Sequence, residues 1–180
     1  MSVTVLPVID ILPLTKANFA EFGEVIELDG AQNFAINQGF TQRYHHLSEV
    51  ELSDADDKAI INVFRSRRWG HPITLSMVEQ HPLGSQAFMP MDKRPFLVVV
   101  ACKTESGEPK ALHAFVTNGE QGVNYGTGVW HHPLLILAAE QDFLVVDRSG
   151  AGNNLIEVDL YADMQAQIDL NSLVEQHITE

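Results

Sequence analysis

Cysteine is almost missing from this chain. Cys102 is the only one in 180 residues, so no internal disulfide can brace the fold and an oxidising compartment is not indicated. It lies in the hydrophobic run Phe96 to Cys102, where a thiol reads as a small buried hydrophobe. Basic residues are also scarce. Against 24 acidic side chains stand 11 Lys and Arg, a formal charge of −13, which would repel a phosphate backbone and an anionic membrane surface. Nucleic acid and membrane are therefore poor partners, and an anionic substrate must be held locally, by one of the six Arg (43, 65, 67, 68, 94 and 148) or by backbone N–H groups. No apolar run approaches the roughly 20 residues of a membrane span. The stretch Met1 to Pro7 lacks the basic start and apolar core of a secretory signal, so a cytoplasmic location is expected. Repeats, low-complexity tracts and linkers are absent too, and the 45% hydrophobic content predicts one domain, residues 1–180, with a sizeable core.

What is present is mostly strand-like. Val3 to Leu12 is rich in β-branched and aliphatic residues. Thr15 then caps a short helix to Phe22 that stops at Gly23, and Glu24 to Leu28 reads as a strand before the turn pair Asp29-Gly30. Asn33 to Leu47 has no clear period and reads as an extended strand or a long loop. Ser53 to Asp57 reads as a solvated acidic turn without calcium-loop spacing, followed by a strand at Ile60 to Phe64. Further short β-rich segments follow at Thr74–Val78, Phe96–Cys102, Leu112–Val116, Leu134–Ala138, Phe143–Asp147 and Leu155–Leu160. Strands at roughly ten-residue spacing, with little helix between them, predict antiparallel β architecture, a sandwich or barrel, rather than βαβ units. From Tyr161 on, one or two short helices are expected, capped at Asn171 or Ser172, with Leu173, Val174 and Ile178 as an apolar face.

Two segments about fifty residues apart crowd polar, ligand-capable side chains beside these apolar runs: Glu79 to Gln86, and Tyr125 to Pro133. Such groups destabilise the mouth of an apolar sheet unless they are hydrogen-bonded or hold a ligand. In a strand, residues two apart share a face, so Glu79 and His81 project together and Gln86 can return to the same cavity beyond the Pro82 to Gly84 turn. In Gly128-Val129-Trp130-His131-His132, one of the two His can join them. The spacing resembles the cupin pattern, with Gln86 standing where that pattern has a carboxylate. Two His, one carboxylate and one amide can take a divalent transition ion, although the neutral Gln is a weaker ligand.

Longer words extend the resemblance. Glu79-x-His81-Pro-Leu-Gly-Ser-Gln86-Ala-Phe88-x-Pro90, Phe115-x-Thr-Asn-Gly-Glu-Gln-Gly-Val-Asn124-Tyr125, and Trp130-His131-His132-Pro133-Leu134 are similar to the ureidoglycolate lyase family, once called ureidoglycolate hydrolase. So are Ile36-Asn37-x-Gly39, Arg43-Tyr44-His45 and Asp142-Phe143-x-x-x-Asp147-Arg148. The resemblance implies a mainly β, cupin-like antiparallel barrel of jelly-roll type with a few short peripheral helices. It further implies a homodimer that splits (S)-ureidoglycolate into glyoxylate and urea in allantoin and purine nitrogen catabolism, with nickel as the suspected ion.

That cleavage needs a base for a hydroxyl, an acid for a departing nitrogen, and a cation or donors for a carboxylate. Glu79, His81 and His131 are the acid/base candidates. Alternatively Glu79, His81, Gln86 and His131 hold a metal that lowers the hydroxyl pKa; the sequence leaves both open. Arg43 and Arg148 are candidates for the carboxylate, since a guanidinium grips it bidentately. Asn33, Asn124 and Tyr125 are candidate partners for the urea end, and Gln86 and Trp130 candidate substrate contacts. Plainer roles stand beside these. Trp130 and Tyr125 also suit core packing, His45 and His46 a strand or surface pair, His132 a structural His, and Arg65 to Arg68 a solvated turn. Two other classes remain at this stage: a non-catalytic cupin-like binding or regulatory protein, and a metal-dependent cupin isomerase or dioxygenase.

Overall fold

The computed structural model describes residues 5–171 and residue 173. Its elements begin with β1 (Ile11–Pro13), helix α1 (Lys16–Phe19), β2 (Gly23–Ile26), β3 (Asn33–Ile36), β4 (Thr41–Tyr44), β5 (Lys58–Arg67), β6 (Ile73–Leu75), β7 (Met77–Gln80) and β8 (Gln86–Pro90). They continue with β9 (Phe96–Lys103), β10 (Pro109–Val116), β11 (Gly122–Tyr125), β12 (Trp130–His131), β13 (Leu135–Ile136), β14 (Glu140–Ser149), β15 (Ile156–Asp159) and β16 (Ala166–Ile168). The mainly β architecture expected from the sequence is present.

Two larger sheets carry it. One runs β1-β10-β9-β12-β7-β15, with β13 also on β9; the other runs β2-β11-β8-β14-β5. Pairing is antiparallel except for β1 on β10. Period-two alternation explains how the sheets stack. Phe96, Val98 and Val100 of β9 and Phe115 of β10 meet Val25, Phe88, Val123, Tyr125, Phe143 and Val145 from the other sheet in one buried core. The alternate residues of β9, Leu97 and Val99, form a second core with Ile73 and Leu75 of β6 and Ala166 and Ile168 of β16. The first sheet is thus covered on both faces, as its almost uninterrupted apolar β9 requires.

Helix α1 closes one end. Thr15 and Asn18 form a reciprocal capping box, the Asn18 N–H donating to Thr15 Oγ1 at 3.2 Å and the Thr15 N–H to Asn18 Oδ1 at 2.9 Å. Phe19 and Phe22 bury against Phe115. Gly23 follows with φ +141°, and a side chain there would run into the Asn124 carbonyl.

Several expectations change. The first strand is Ile11–Pro13, with only a bridge at Val8 before it, and Val3 lies outside the described residues. Thr74 to Val78 is broken between β6 and β7, which belong to different sheets. Asn33 to Tyr44 is an exposed hairpin, β3 on β4. Arg65 and Arg67 belong to strand β5, with Arg65 gripping Asp142 at 2.8 Å, so they are not in a turn. Between Tyr161 and Leu170 a strand stands where helix was expected: β16 pairs with β6, because the apolar-polar-apolar Ala166-Gln167-Ile168 seals the second core, and among the described residues helix appears only after it, at Asn171 and Leu173. Leu173 is buried there too, while Ser172, Val174 and Ile178 lie outside the described residues.

Candidate active site

Strand register places the polar groups. On the first sheet His131 lies between Val100 and Glu79, and Glu79 lies opposite Glu157, so Val100, His131, Glu79 and Glu157 form one cross-strand row. On the second sheet Tyr125 pairs with Gln86, the β8–β14 register carries on to Asp147, and Asp147 pairs with Ile60. The rows face each other across the gap between the two sheets, called the bore below: the Tyr125 and His131 rings stack within it at 4.2 Å with 9° between their planes.

His81, just beyond β7, completes a cluster with Glu79 and His131 whose ligand atoms all lie within 4.8 Å of one another. Each imidazole is oriented from behind. His81 Nδ1 donates to the Asn154 carbonyl at 2.6 Å and His131 Nδ1 to the Val129 carbonyl at 3.0 Å. A carbonyl only accepts, so in the neutral rings the lone pairs sit on Nε2, and both Nε2 atoms are buried without a hydrogen-bond partner. The carboxylate is no substitute partner: His131 Nε2 lies 3.4 Å from Glu79 Oε1, and both atoms are acceptors in that state. An unmet buried polar atom costs about 1–3 kcal/mol, so three converging lone-pair donors fit a divalent cation, with the backbone contacts as their supporting shell. Burial pushes the Glu79 carboxyl up; with the rings protonated instead, a hydrogen bond from His131 Nε2–H and the charges of His131, His81 and His132 hold it below the ordinary carboxylate range. Burial, and then the Glu79 charge, push the Tyr125 phenol up, keeping it neutral.

Gln86 also reaches the bore. Its Nε2 donates to Asp147 Oδ2 at 3.3 Å, while its buried Oε1 has no partner. Asn154, which the sequence reading overlooked, clamps the loop twice, since its side-chain oxygen also accepts the Leu83 N–H at 2.8 Å. Asp147 and Glu157 were overlooked as well. Alternation from Phe143 and Val145 points to Asp147, whereas Glu157 emerges only from the β15–β7 register.

Other candidates lie elsewhere. Arg148 is buried with Asp57, their side chains 3% and 2% exposed, and grips it through Nε and Nη2 at 2.6 and 2.5 Å. Its guanidinium is therefore not offered to a substrate, and Asp57 is not part of a solvated turn. The pair needs close backbone: a side chain at Gly84 would lie 2.9 Å from Arg148 Cβ. Trp130 faces away from His131, packing with Val78, Ala101 and Leu160 and donating Nε1–H to the Gly107 carbonyl at 2.8 Å. Asn124, between the core residues Val123 and Tyr125, points outward to Ser48 Oγ and the Glu49 carbonyl. Arg43 and Asn33 sit on the exposed hairpin, Arg43 over the Phe34 ring and Asn33 bonded to Ala31 and Gln42. His132 is buried with Nδ1 on the Pro133 carbonyl, and burial pushes its pKa down. Cys102 is a free, partly buried thiol 3.3 Å from His113 Nε2; burial, then Glu21, push it up.

The chain's sequence can be set beside known proteins. The profile of the family described as Ureidoglycolate lyase matches residues 6–167. The ureidoglycolate lyase of Pseudomonas syringae pv. syringae (strain B728a) is 55% identical over 145 residues, 81% of this chain and 85% of that protein. The ureidoglycolate lyase of Azotobacter vinelandii is 52% identical over 150 residues, 83% and 90% of the two chains. Among solved structures, NovW, a 4-keto-6-deoxy sugar epimerase from Streptomyces spheroides, superposes with a TM-score of 0.46 at 14% identity, over 88% of this chain and 78% of its own.

Proposed function

Because the chain belongs to the ureidoglycolate lyase family, we propose that it splits (S)-ureidoglycolate into glyoxylate and urea at the Glu79, His81 and His131 cluster. One observation carries the placement: a carboxylate and two buried, partnerless imidazole Nε2 atoms converge within 4.8 Å. The reaction consumes no water. The hydroxyl proton leaves, its electrons form the aldehyde carbonyl, the carbon–nitrogen bond breaks, and the departing nitrogen takes a proton.

Glu79 is the base. Its depressed pKa keeps it ionised at neutral pH, and it takes the hydroxyl proton and returns it to the leaving nitrogen, a kind of transfer worth typically ~10²–10⁴-fold. His81 and His131, fixed from behind by Asn154 and Val129, present Nε2 to the cluster. Together with Glu79 and Gln86 they would hold a divalent ion, for which nickel is our proposal. Such an ion, when bound, lowers the pKa of the hydroxyl and offsets the substrate's negative charge.

The cavity's own chemistry supports that need. Its facing rows offer Glu79, Asp147 and Gln86 Oε1, while Arg148 is closed on Asp57. A divalent cation there would offset the repulsion that an anionic hydroxy acid meets from Glu79 and Asp147. The acceptors suit the ureido N–H groups.

We place the reaction in allantoin and purine nitrogen catabolism, in a cytoplasmic homodimer. Support for the dimer comes from the edge strand β5, where Ile61 and Val63 are 72% and 59% exposed. Among the described residues no helix is long and apolar enough to cross a membrane. The direct test is to mix the protein with ureidoglycolate and follow glyoxylate. Release that is lost on chelation and restored by nickel is expected; no glyoxylate, with or without added nickel, manganese or zinc, rejects the assignment.

A further inference from the structure

Gln86 enters the bore from β8, between Tyr125 and Asp147 on the row that faces Glu79. Its side chain is buried, yet only one end of the amide is engaged: Nε2 donates to Asp147 Oδ2 at 3.3 Å, and Oε1 has no partner. An amide carries donors on nitrogen and lone pairs on oxygen, whereas an ionised carboxylate only accepts. The two orientations of the Gln86 amide are therefore unequal. With nitrogen toward Asp147 a hydrogen bond forms and Oε1 is turned away from it; in the flipped orientation two acceptors collide.

Asp147 is itself held. Its Oδ1 accepts the Arg148 backbone N–H at 2.7 Å, and the Arg148 side chain is closed on Asp57 and on the Ala151 carbonyl. A buried ion pair therefore braces the strand end that carries Asp147. This gives Asp57 and Arg148 a connection to the cavity without any contact with its contents.

We propose that Asp147 is a positioning residue: it locks the Gln86 amide so that Oε1 is presented to the cavity as a fourth acceptor beside Glu79, His81 and His131. The inference rests on reading that cluster as a metal-holding site. It explains how an amide can stand where a carboxylate is expected, since the orientation that an amide does not fix by itself is fixed by its neighbour.

A double-substitution cycle on the metal-free protein tests this, with nickel affinity read by calorimetry. Asp147→Asn allows the Gln86 amide to flip and is expected to weaken nickel binding about 10- to 100-fold, as outer-shell partners do. In a Gln86→Glu background the two side-chain oxygens are equivalent, so the same Asp147→Asn change is expected to cause no weakening. Equal weakening in both backgrounds, or none in either, overturns the proposal.

A second measurement does not depend on the metal. In the ¹⁵N–¹H spectrum of the metal-free protein, the Gln86 side-chain NH₂ pair, assigned by its disappearance in Gln86→Ala, should exchange slowly and lose that protection in Asp147→Asn. An unprotected pair, or one indifferent to the substitution, overturns the inference. If the parent protein binds no nickel, the metal reading of the cluster fails by itself, and the spectrum decides the role of Asp147.

Discussion

At the scale of single residues, the site is built from atoms left without partners. The Nε2 lone pairs of His81 and His131 are aimed into the bore because their Nδ1 atoms are tied to Asn154 and Val129 carbonyls. Glu79→Gln keeps the shape and removes the base; His81→Ala removes a lone pair. Each is expected to lower glyoxylate release by at least ~10²-fold, and near-wild-type turnover in both would show that the catalytic groups lie elsewhere. These residues were legible because a two-residue spacing puts Glu79 and His81 on one face. Arg148 was not legible in the same way, since its partner Asp57 is 91 residues distant in sequence and nothing local announces the pair. Trp130 misled for a simpler reason: neighbouring positions of a strand point to opposite faces, and His131 claims the bore.

The Asp57–Arg148 pair makes a pH-dependent prediction. The Arg148 hydrogen bonds, outweighing burial, hold the Asp57 carboxyl below its usual range. A group depressed in the folded state contributes stability that is complete above its unfolded value of about 3.9 and is lost as pH falls through the lower folded value. Asp57→Asn should therefore lower the thermal midpoint at pH 7, and the gap to the parent should narrow below about pH 4. A gap that stays constant in a melting series from pH 7 to pH 3 contradicts this role.

Among the elements, β14 does most to join the frame, pairing β5 on one side and β8 on the other while Phe143 and Val145 fill the space between the sheets. Phe143 is fully buried, edge-on to Phe96 at 5.0 Å between centroids. Phe143→Ala should cost about 3–5 kcal/mol, measurable by urea unfolding; a loss under about 1 kcal/mol would mean the cavity collapses or the packing is looser than described. Edge strand β5 makes the other test. If the proposed homodimer forms through this edge, Ile61→Lys with Val63→Lys, which puts charge on its exposed apolar side, is expected to give a monomer in light-scattering chromatography where the parent elutes as a dimer; an unchanged dimer places the interface elsewhere. Longer strands such as β9 and β14 were readable from apolar runs. Short ones were not: β16 is three residues long, too few for period two to be told from a helical turn, and its pairing with β6 is what defines it.

Taken whole, the molecule is two facing sheets whose shared core stops at a polar end. His131 and Glu79 on one sheet look across at Gln86 and Asp147 on the other, with the exposed Glu157 opposite Glu79 on the edge strand, while Phe19 of α1 and Phe22 just beyond it pack on the same core. Composition already excluded a basic, phosphate-seeking surface, and the words around the ligands pointed to the family. What neither supplied was the way in which Gln86 is held and Arg148 is occupied. Those facts depend on which strand ends meet. They also bear on the proposed metal, because Arg148, occupied by Asp57, does not bring its charge to the cluster of Glu79, His81 and His131.

Glyoxylate release by the metal-free protein, titrated with nickel in parallel with His131→Ala, tests the central claim most directly. The account predicts that the parent gains activity until one ion is bound per chain and that the variant, still folded, stays at least ~10²-fold slower throughout. Full parent activity without any divalent ion, or a variant as fast as the parent, would contradict it.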